Sequence, residues 1–110
     1  MKGNEYQALA ARTIKEDMPP IHQECHALFG MASEIGELHG LYQKRYQGHF
    51  SPEEHYKKEL GDLLWFVAEY CTARGWDLDE IMQMNIDKLR KRYPDGFDSE
   101  LSQHRAEGDV

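Results

Sequence analysis

The spacing of apolar residues constrains the fold of this chain more than any other feature of its sequence. Between Ile21 and Tyr46 such residues recur every three or four positions, as Leu28, Met31, Ala32, Ile35, Leu38 and Tyr42. This spacing places them on one face of an α-helix. A half-buried strand would alternate apolar and polar residues, and no segment sustains that alternation. The sequence therefore predicts an all-α fold.

Segments that contain proline or glycine divide the chain into four helical patterns and a tail. The breaks fall at Pro19-Pro20, between Gln47 and Pro52, at Gly75, and at Pro94-Asp95-Gly96. The first two helices are predicted from about Asn4 to Glu16 and from about Ile21 to Tyr46. The third follows a predicted capping box at Ser51-Pro52-Glu53-Glu54, and the fourth lies between the predicted cap Asp77 and Pro94.

The chain has the length of one domain. We expect a single all-α domain over residues 1–97 and a polar C-terminal tail over residues 98–110. The third helical pattern is apolar around much of its circumference between Leu63 and Val67. A surface helix would have a narrower apolar stripe. Part of this surface is therefore expected to face a second copy in a homo-oligomer, the alternative being a central helix buried within a monomer.

The charge balance excludes several classes of function. Thirteen Lys and Arg against 20 Asp and Glu give a formal charge of −7, and such a surface repels a nucleic acid polymer. No apolar run approaches the ~20 residues that a membrane span needs. The two cysteines, Cys25 and Cys71, favour a reducing cytoplasm over a disulfide scaffold. We therefore expect a cytoplasmic protein without nucleic acid or membrane partners.

Two pairs of acidic residues lie near the middle of consecutive helices: Glu34 with Glu37, and Glu59 with Asp62. Residues three apart are neighbours on a helix surface. The connection between these helices is short, so they should run antiparallel and could bring the two pairs face to face. Carboxylates without adjacent histidine suit Mg²⁺, with Mn²⁺ as a substitute. Two solvated acidic faces are the alternative.

The fourth helix carries polar groups on its apolar side. Asn85 lies in the middle of the apolar stripe, and Lys88 and Arg92 follow near the same face. A buried Asn needs hydrogen-bond partners, and cations that lean toward a core need anions. One interpretation is a core Asn beside Lys and Arg stems that lie along the core. The other is a site for a polyanion held by the metal.

These segments together resemble a known family. Glu34-x-x-Glu37 is followed after 21 residues by Glu59-x-x-Asp62, within KKELGDLLWFVAEY, and then by MNIDKLRKRYPDGF. From about Asn4 to Phe97 the chain resembles the MazG-type all-α nucleotide pyrophosphohydrolases. The resemblance implies a four-helix-bundle fold assembled as a homodimer or a dimer of dimers. It also implies Mg²⁺-dependent cleavage of (deoxy)nucleoside triphosphates between the α and β phosphates, yielding a nucleoside monophosphate and pyrophosphate.

The resemblance also implies roles for individual residues. The expected metal ligands and catalytic carboxylates are Glu34, Glu37, Glu59 and Asp62. The motif does not settle which of them activates the attacking water, and we take Glu37 as the candidate. Lys88 and Arg92 would contact the phosphates, and Asn85 would contact the substrate. Candidates near the base are Trp65, Tyr6 and Gln7. The alternative function is a non-catalytic helical interaction module whose acidic pairs form a docking face.

Overall fold

The computed structural model describes all 110 residues and contains helices but no β-strand, which confirms the predicted all-α class. Five helices follow one another: α1 (Gly3–Ala11), α2 (Pro20–Tyr46), α3 (Glu53–Arg74), α4 (Leu78–Arg92) and α5 (Ser99–Gln103). The first four correspond to the predicted helices. α5 is an additional short helix within the segment predicted as a polar tail. None of these helices is both long enough and apolar enough to cross a bilayer.

Helices α2 and α3 form an antiparallel hairpin, as their short connection predicts. At one end Arg74 donates a hydrogen bond to Glu24 at 3.2 Å. At the other end the rings of Tyr42 and Tyr56 meet edge to face, with centroids 5.5 Å apart. Because the two helices run antiparallel, this register also brings Glu34 opposite the turn of α3 that carries Glu59 and Asp62.

The close approach of α2 and α3 depends on Gly30. A Cβ at this position would overlap ring atoms of Phe66, so the ring occupies space that any side chain would need. Helix packing is therefore the reason for this glycine, despite its cost of ~1 kcal/mol inside a helix. Gly36 and Gly40, on the same helix, have open space where a Cβ would stand, with no neighbour within 4 Å. A single chain gives no packing reason for these two.

Two predicted helix ends differ from the structure. α1 ends at Ala11 rather than near Glu16. Beyond it the backbone N–H groups of Arg12, Thr13 and Ile14 donate three residues back rather than four, and Asp17 then turns the chain with φ of 61°. The prediction of a capping box before α3 is wrong. Pro52 is itself the N-terminal cap residue, and no side chain caps this end, because Ser51 lies one position too early for its hydroxyl to take that role.

The N-terminus of α4 is capped by α1 instead of by the predicted Asp77, whose side chain makes no capping hydrogen bond. The Gln7 carboxamide oxygen accepts from the Leu78 backbone N–H at 2.7 Å. The Asn4 carboxamide oxygen accepts from the Asp79 N–H at 2.9 Å, and the Asp79 carboxylate accepts from the Asn4 N–H at 3.0 Å. These bonds satisfy free N–H groups of the first turn and join α4 to α1.

A single chain does not close the expected four-helix bundle. α1 packs on α3, whereas α4 packs mainly on α1 and does not run along α2 or α3. The radius of gyration is 17.3 Å, against about 13 Å for a compact domain of about 100 residues. Only six residues are buried, five of them apolar or thiol side chains. The closed bundle remains a prediction for the assembled protein.

Candidate functional site

The α2–α3 seam brings together three of the four predicted carboxylates. Glu34, Glu59 and Asp62 each offer an oxygen, and these oxygens lie within 4.8 Å of one another. Glu34 and Glu59 are half-buried, whereas Asp62 is exposed. Two helices thus supply one compact acidic group, because the antiparallel register places Glu34 opposite the turn of α3 that carries Glu59 and Asp62.

The crowding of negative charge changes the acidity of Glu34. A hydrogen bond with the Glu59 carboxyl, burial, and the charges of Glu59, Asp62 and Glu37 together raise the pKa of Glu34 to about 7. The proton that Glu34 retains near neutral pH compensates for carboxylates that would otherwise repel one another. A divalent cation could provide the same compensation, and an all-oxygen donor set without imidazole or thiolate suits Mg²⁺ or Mn²⁺. The residues present therefore fit such a cation.

Glu37 lies outside this group of three. It is exposed, one helical turn beyond Glu34 on α2. Its charge still contributes to the raised pKa of Glu34, so it lies within electrostatic reach of the group. The arrangement separates one exposed carboxylate from three clustered ones, a difference that the two equivalent sequence motifs do not predict.

The three candidates for contacts with a base have different surroundings. The Gln7 carboxamide donates to the Trp76 carbonyl at 2.8 Å and caps α4, so its polar atoms are already used. Trp65 donates from Nε1 to the Thr13 hydroxyl at 2.8 Å and stands perpendicular to Phe66. Burial and the charge of Asp62 raise the pKa of Tyr6. Of the three, Tyr6 alone is tied electrostatically to the carboxylate group.

Sequence reasoning missed a contact between His26 of α2 and a buried carboxylate of α3, Glu69. Glu69 is the largest fully buried side chain, with 1% of its surface exposed. Both of its oxygens contact His26 Nδ1, at 2.7 and 3.0 Å. The imidazole lies edge-on against Trp65 and Phe66, and half of the His26 side chain is exposed. The sequence offered one signal for the burial of Glu69: it lies three residues after Phe66, on the same face of α3. Its partner, His26, is visible only in the structure.

The predicted substrate-binding residues of α4 lie apart from the carboxylate group, because α4 does not pack along the α2–α3 hairpin. Asn85 and Lys88 are exposed rather than turned into a core, because α4 does not run along the seam. Arg92 is 9% exposed, and it pairs with Asp109 of the C-terminal segment at 2.7 Å. The chain therefore carries its clustered acids on one unit and these basic groups on another.

Two cavities lie away from the carboxylate group. One of about 550 Å³ lies between the end of α4 and the C-terminal segment, and its lining includes Lys88 and Arg92. The other, of about 310 Å³, lies beside the α2–α3 turn, and its lining includes Tyr42, Arg45 and Tyr56. Sequence reasoning predicted neither cavity, because each depends on where a loop or tail folds back.

Comparisons with known proteins identify one similarity. A family model described as the MazG nucleotide pyrophosphohydrolase domain matches residues 22–97. The matched segment includes all four predicted carboxylates and the basic residues of α4, whereas the tail lies beyond it. Searches among curated proteins and among solved structures found no match.

Proposed function

The chain belongs to the MazG nucleotide pyrophosphohydrolase family, and from that premise we propose that it hydrolyses (deoxy)nucleoside triphosphates between the α and β phosphates. The products are a nucleoside monophosphate and pyrophosphate. The observation that carries the proposal is the group formed by Glu34, Glu59 and Asp62, whose oxygens lie within 4.8 Å of one another. A docking face needs no such convergence, because dispersed carboxylates would serve it equally well.

Glu34, Glu59 and Asp62 would hold Mg²⁺, or Mn²⁺ in its place. A triphosphate carries about four negative charges and would be repelled by bare carboxylates. The bound ion would offset this repulsion and polarise the phosphoryl group that is attacked. Glu37 completes the proposed set of ligands and catalytic carboxylates. Its exposure leaves it accessible to a water molecule beside the three clustered groups.

Water is the nucleophile in this proposal, and Glu37 orients it and accepts its proton. The oxygen of water forms a bond to the α phosphorus, and the bond from that phosphorus to the bridging oxygen breaks. Pyrophosphate leaves with the bonding electrons. Lys88 and Arg92 neutralise the charge that develops on the leaving group, the main electrostatic requirement of phosphoryl transfer. Asn85 contacts the substrate through its carboxamide.

We further propose that the active assembly is a homodimer or a dimer of dimers. The support is the incomplete single chain: its apolar side chains Phe29, Leu60 and Leu64 are 74%, 54% and 45% exposed. Lys88 lies on a helix that does not run along the carboxylate hairpin. A second copy could cover the apolar surface and bring α4 to the hairpin of its neighbour. A cytoplasmic setting is proposed because both cysteines are free thiols.

The primary test is a screen of ribo- and deoxynucleoside triphosphates for pyrophosphate release with Mg²⁺. We expect release from at least one nucleotide and its loss in EDTA. Activity unaffected by EDTA would contradict the metal assignment. If no nucleotide is hydrolysed, thermal stabilisation by a non-hydrolysable analogue would be measured with and without Mg²⁺. Absence of both hydrolysis and stabilisation would favour the acidic interaction module.

The assembly has its own test, based on complementation between two inactive chains. One chain carries Asp62→Asn and the other Lys88→Ala. If α4 serves the hairpin of a neighbouring copy, mixing and reassociation should restore about a quarter of the sites in a dimer, by random pairing of subunits. If α4 serves its own hairpin, every chain retains one defect and mixing should restore nothing. Light scattering on each variant verifies that the oligomer persists.

A further inference from the structure

A basic surface of this acidic chain lies where the C-terminal segment folds back against α4. The cavity of about 550 Å³ between them has five basic side chains in its lining: Lys88, Lys91, Arg92, His104 and Arg105. Glu107 and Asp109 are the acidic side chains in the same lining. Four permanent positive charges against two carboxylates, in a chain with a net charge of −7, make this a local site for anions.

The chain fills part of this site with its own carboxylate. Arg92 donates from Nε to one Asp109 oxygen at 2.8 Å and from Nη2 to the other at 2.7 Å. The two side chains are 9% and 17% exposed. The hydrogen bonds from Arg92 are the largest cause of a lowered pKa for Asp109, and the charges of Arg105 and Lys88 lower it further. Three cations thus act on one carboxylate.

The backbone of the segment is folded so that this contact can form. Asp98 caps α5 by accepting hydrogen bonds from the backbone N–H groups of Glu100 and Leu101. Gly108 has φ of 83°, a conformation that favours glycine. The Asp109 N–H donates to the Ala106 carbonyl at 3.1 Å. A turn therefore directs Asp109 back toward α4 instead of leaving it on an extended end.

We propose that Asp109 is an intramolecular competitor for the phosphate groups of the substrate, and that the C-terminal segment is a latch that the triphosphate displaces. The inference rests on the proposed function, which assigns Lys88 and Arg92 to the phosphates. A guanidinium binds a carboxylate and a phosphate through the same pair of parallel N–H bonds. Arg92 cannot make both contacts at once, so a phosphate group at Arg92 requires Asp109 to leave.

The latch lowers the apparent affinity of any anion that must bind Arg92. A triphosphate carries about four negative charges and can engage several of the cations around Asp109. Each such anion binds only after the segment has opened, so each loses the same factor in apparent affinity. If the latch is closed in about nine of ten molecules, the apparent affinity for the anion falls about tenfold.

The test compares Asp109→Asn with the wild-type chain and with Glu107→Gln, a carboxylate of the same cavity that makes no ion pair. Calorimetry measures the affinity for inorganic tripolyphosphate, and kinetics measures KM and kcat for the best nucleotide. We expect Asp109→Asn to bind tripolyphosphate about tenfold more tightly and to lower KM with kcat unchanged, while Glu107→Gln stays near wild type. Asp109→Glu keeps the charge and should restore most of the competition.

Unchanged or weaker binding of tripolyphosphate by a folded Asp109→Asn variant would overturn the latch, since Asp109 would then only fasten the tail to α4. Circular dichroism establishes that each variant is folded. Tripolyphosphate that binds to neither chain would overturn it as well. A failure of the proposed function is distinguishable: no variant would release pyrophosphate from any nucleotide, whereas binding of tripolyphosphate would still report on Asp109 and Arg92.

Discussion

The α2–α3 hairpin and the unit formed by α4 and the C-terminal segment treat charge in opposite ways. The hairpin concentrates three carboxylates whose oxygens lie within 4.8 Å of one another. Their mutual repulsion is reduced in part because the raised pKa of Glu34 favours its protonated form. The second unit concentrates cations but supplies its own counter-ion, Asp109. The acidic unit thus fits the external cation that we propose for it, whereas the basic unit already holds an internal anion.

The two units also differ in how they are held. The seam of the hairpin is closed by side-chain packing, with Phe66 seated on Gly30. α4 is held at its first turn by two carboxamides of α1 and by its buried residue Leu78, and near its end by the Arg92–Asp109 pair. A helix attached at its two ends can adjust more than a seam that is packed along its length. This difference suits the proposed function, in which the hairpin would hold a metal and α4 would bind the phosphates of a nucleotide.

The largest expected effect comes from removing one charge of the acidic unit. Asp62→Asn should lower the rate of pyrophosphate release by about 10²–10³-fold, the scale for losing one group that stabilises charge in a reaction. Without Mg²⁺ the same variant should melt at a higher temperature, because a repulsive charge is gone. The control is Glu80→Gln, an exposed carboxylate of α4, which should change neither quantity. Full activity in Asp62→Asn would refute the assigned site.

The packed seam offers the next test. Gly30→Ala would force Phe66 to move, since the new Cβ would overlap the ring. Overpacking of this kind costs about 1–3 kcal/mol in the free energy of unfolding, to be measured by urea denaturation. Gly36→Ala, on the same helix with open space around it, should stabilise by up to ~1 kcal/mol through helix propensity. A destabilised Gly36→Ala protein would instead place a neighbouring copy against this turn.

The smallest effect is a pH dependence confined to the acidic unit. The pKa of Glu34 is about 7 in the folded chain against a usual value of 4.5. Its contribution to stability is therefore fully present below about pH 4.5 and is lost as the pH rises through 7. Melting temperatures without metal should fall by a few degrees over this range, and Mg²⁺ should oppose the fall. Glu34→Gln should remove the dependence, and an unchanged slope in that variant would assign it elsewhere.

The sequence was sufficient for features that depend on local periodicity. The helices, the antiparallel hairpin and the meeting of Glu34 with Glu59 and Asp62 all follow from apolar spacing and a short connection. The separation of Glu37 from the group did not follow, because both motifs have the same spacing and only the rotation of α2 distinguishes them. Asp109 lies 17 residues after Arg92, and no local rule links a tail carboxylate to a helix across that distance.

The caps on α4 were missed for a related reason. Asn4 and Gln7 lie more than 70 residues from the N–H groups that they accept from, whereas Asp77 stands where a local cap would be expected. The preference for a cap residue next to the helix in sequence is overridden when a side-chain oxygen of another helix lies closer to the free N–H groups. The same holds for Glu69, whose buried carboxylate finds its hydrogen-bond partner, His26, on the facing helix.

Because α4 is attached to α1 through its first turn, a small tilt of the helix at that turn would produce a larger displacement at its far end. Arg92 lies fourteen positions after Leu78, a span of about 21 Å along a helix axis. A tilt of about 10° around the Asn4 and Gln7 contacts would therefore displace the Arg92 backbone by about 4 Å. Small side-chain adjustments in the first two turns of the chain would be amplified at the far end of α4. The N-terminal helix would then set the reach of a cation that it never touches.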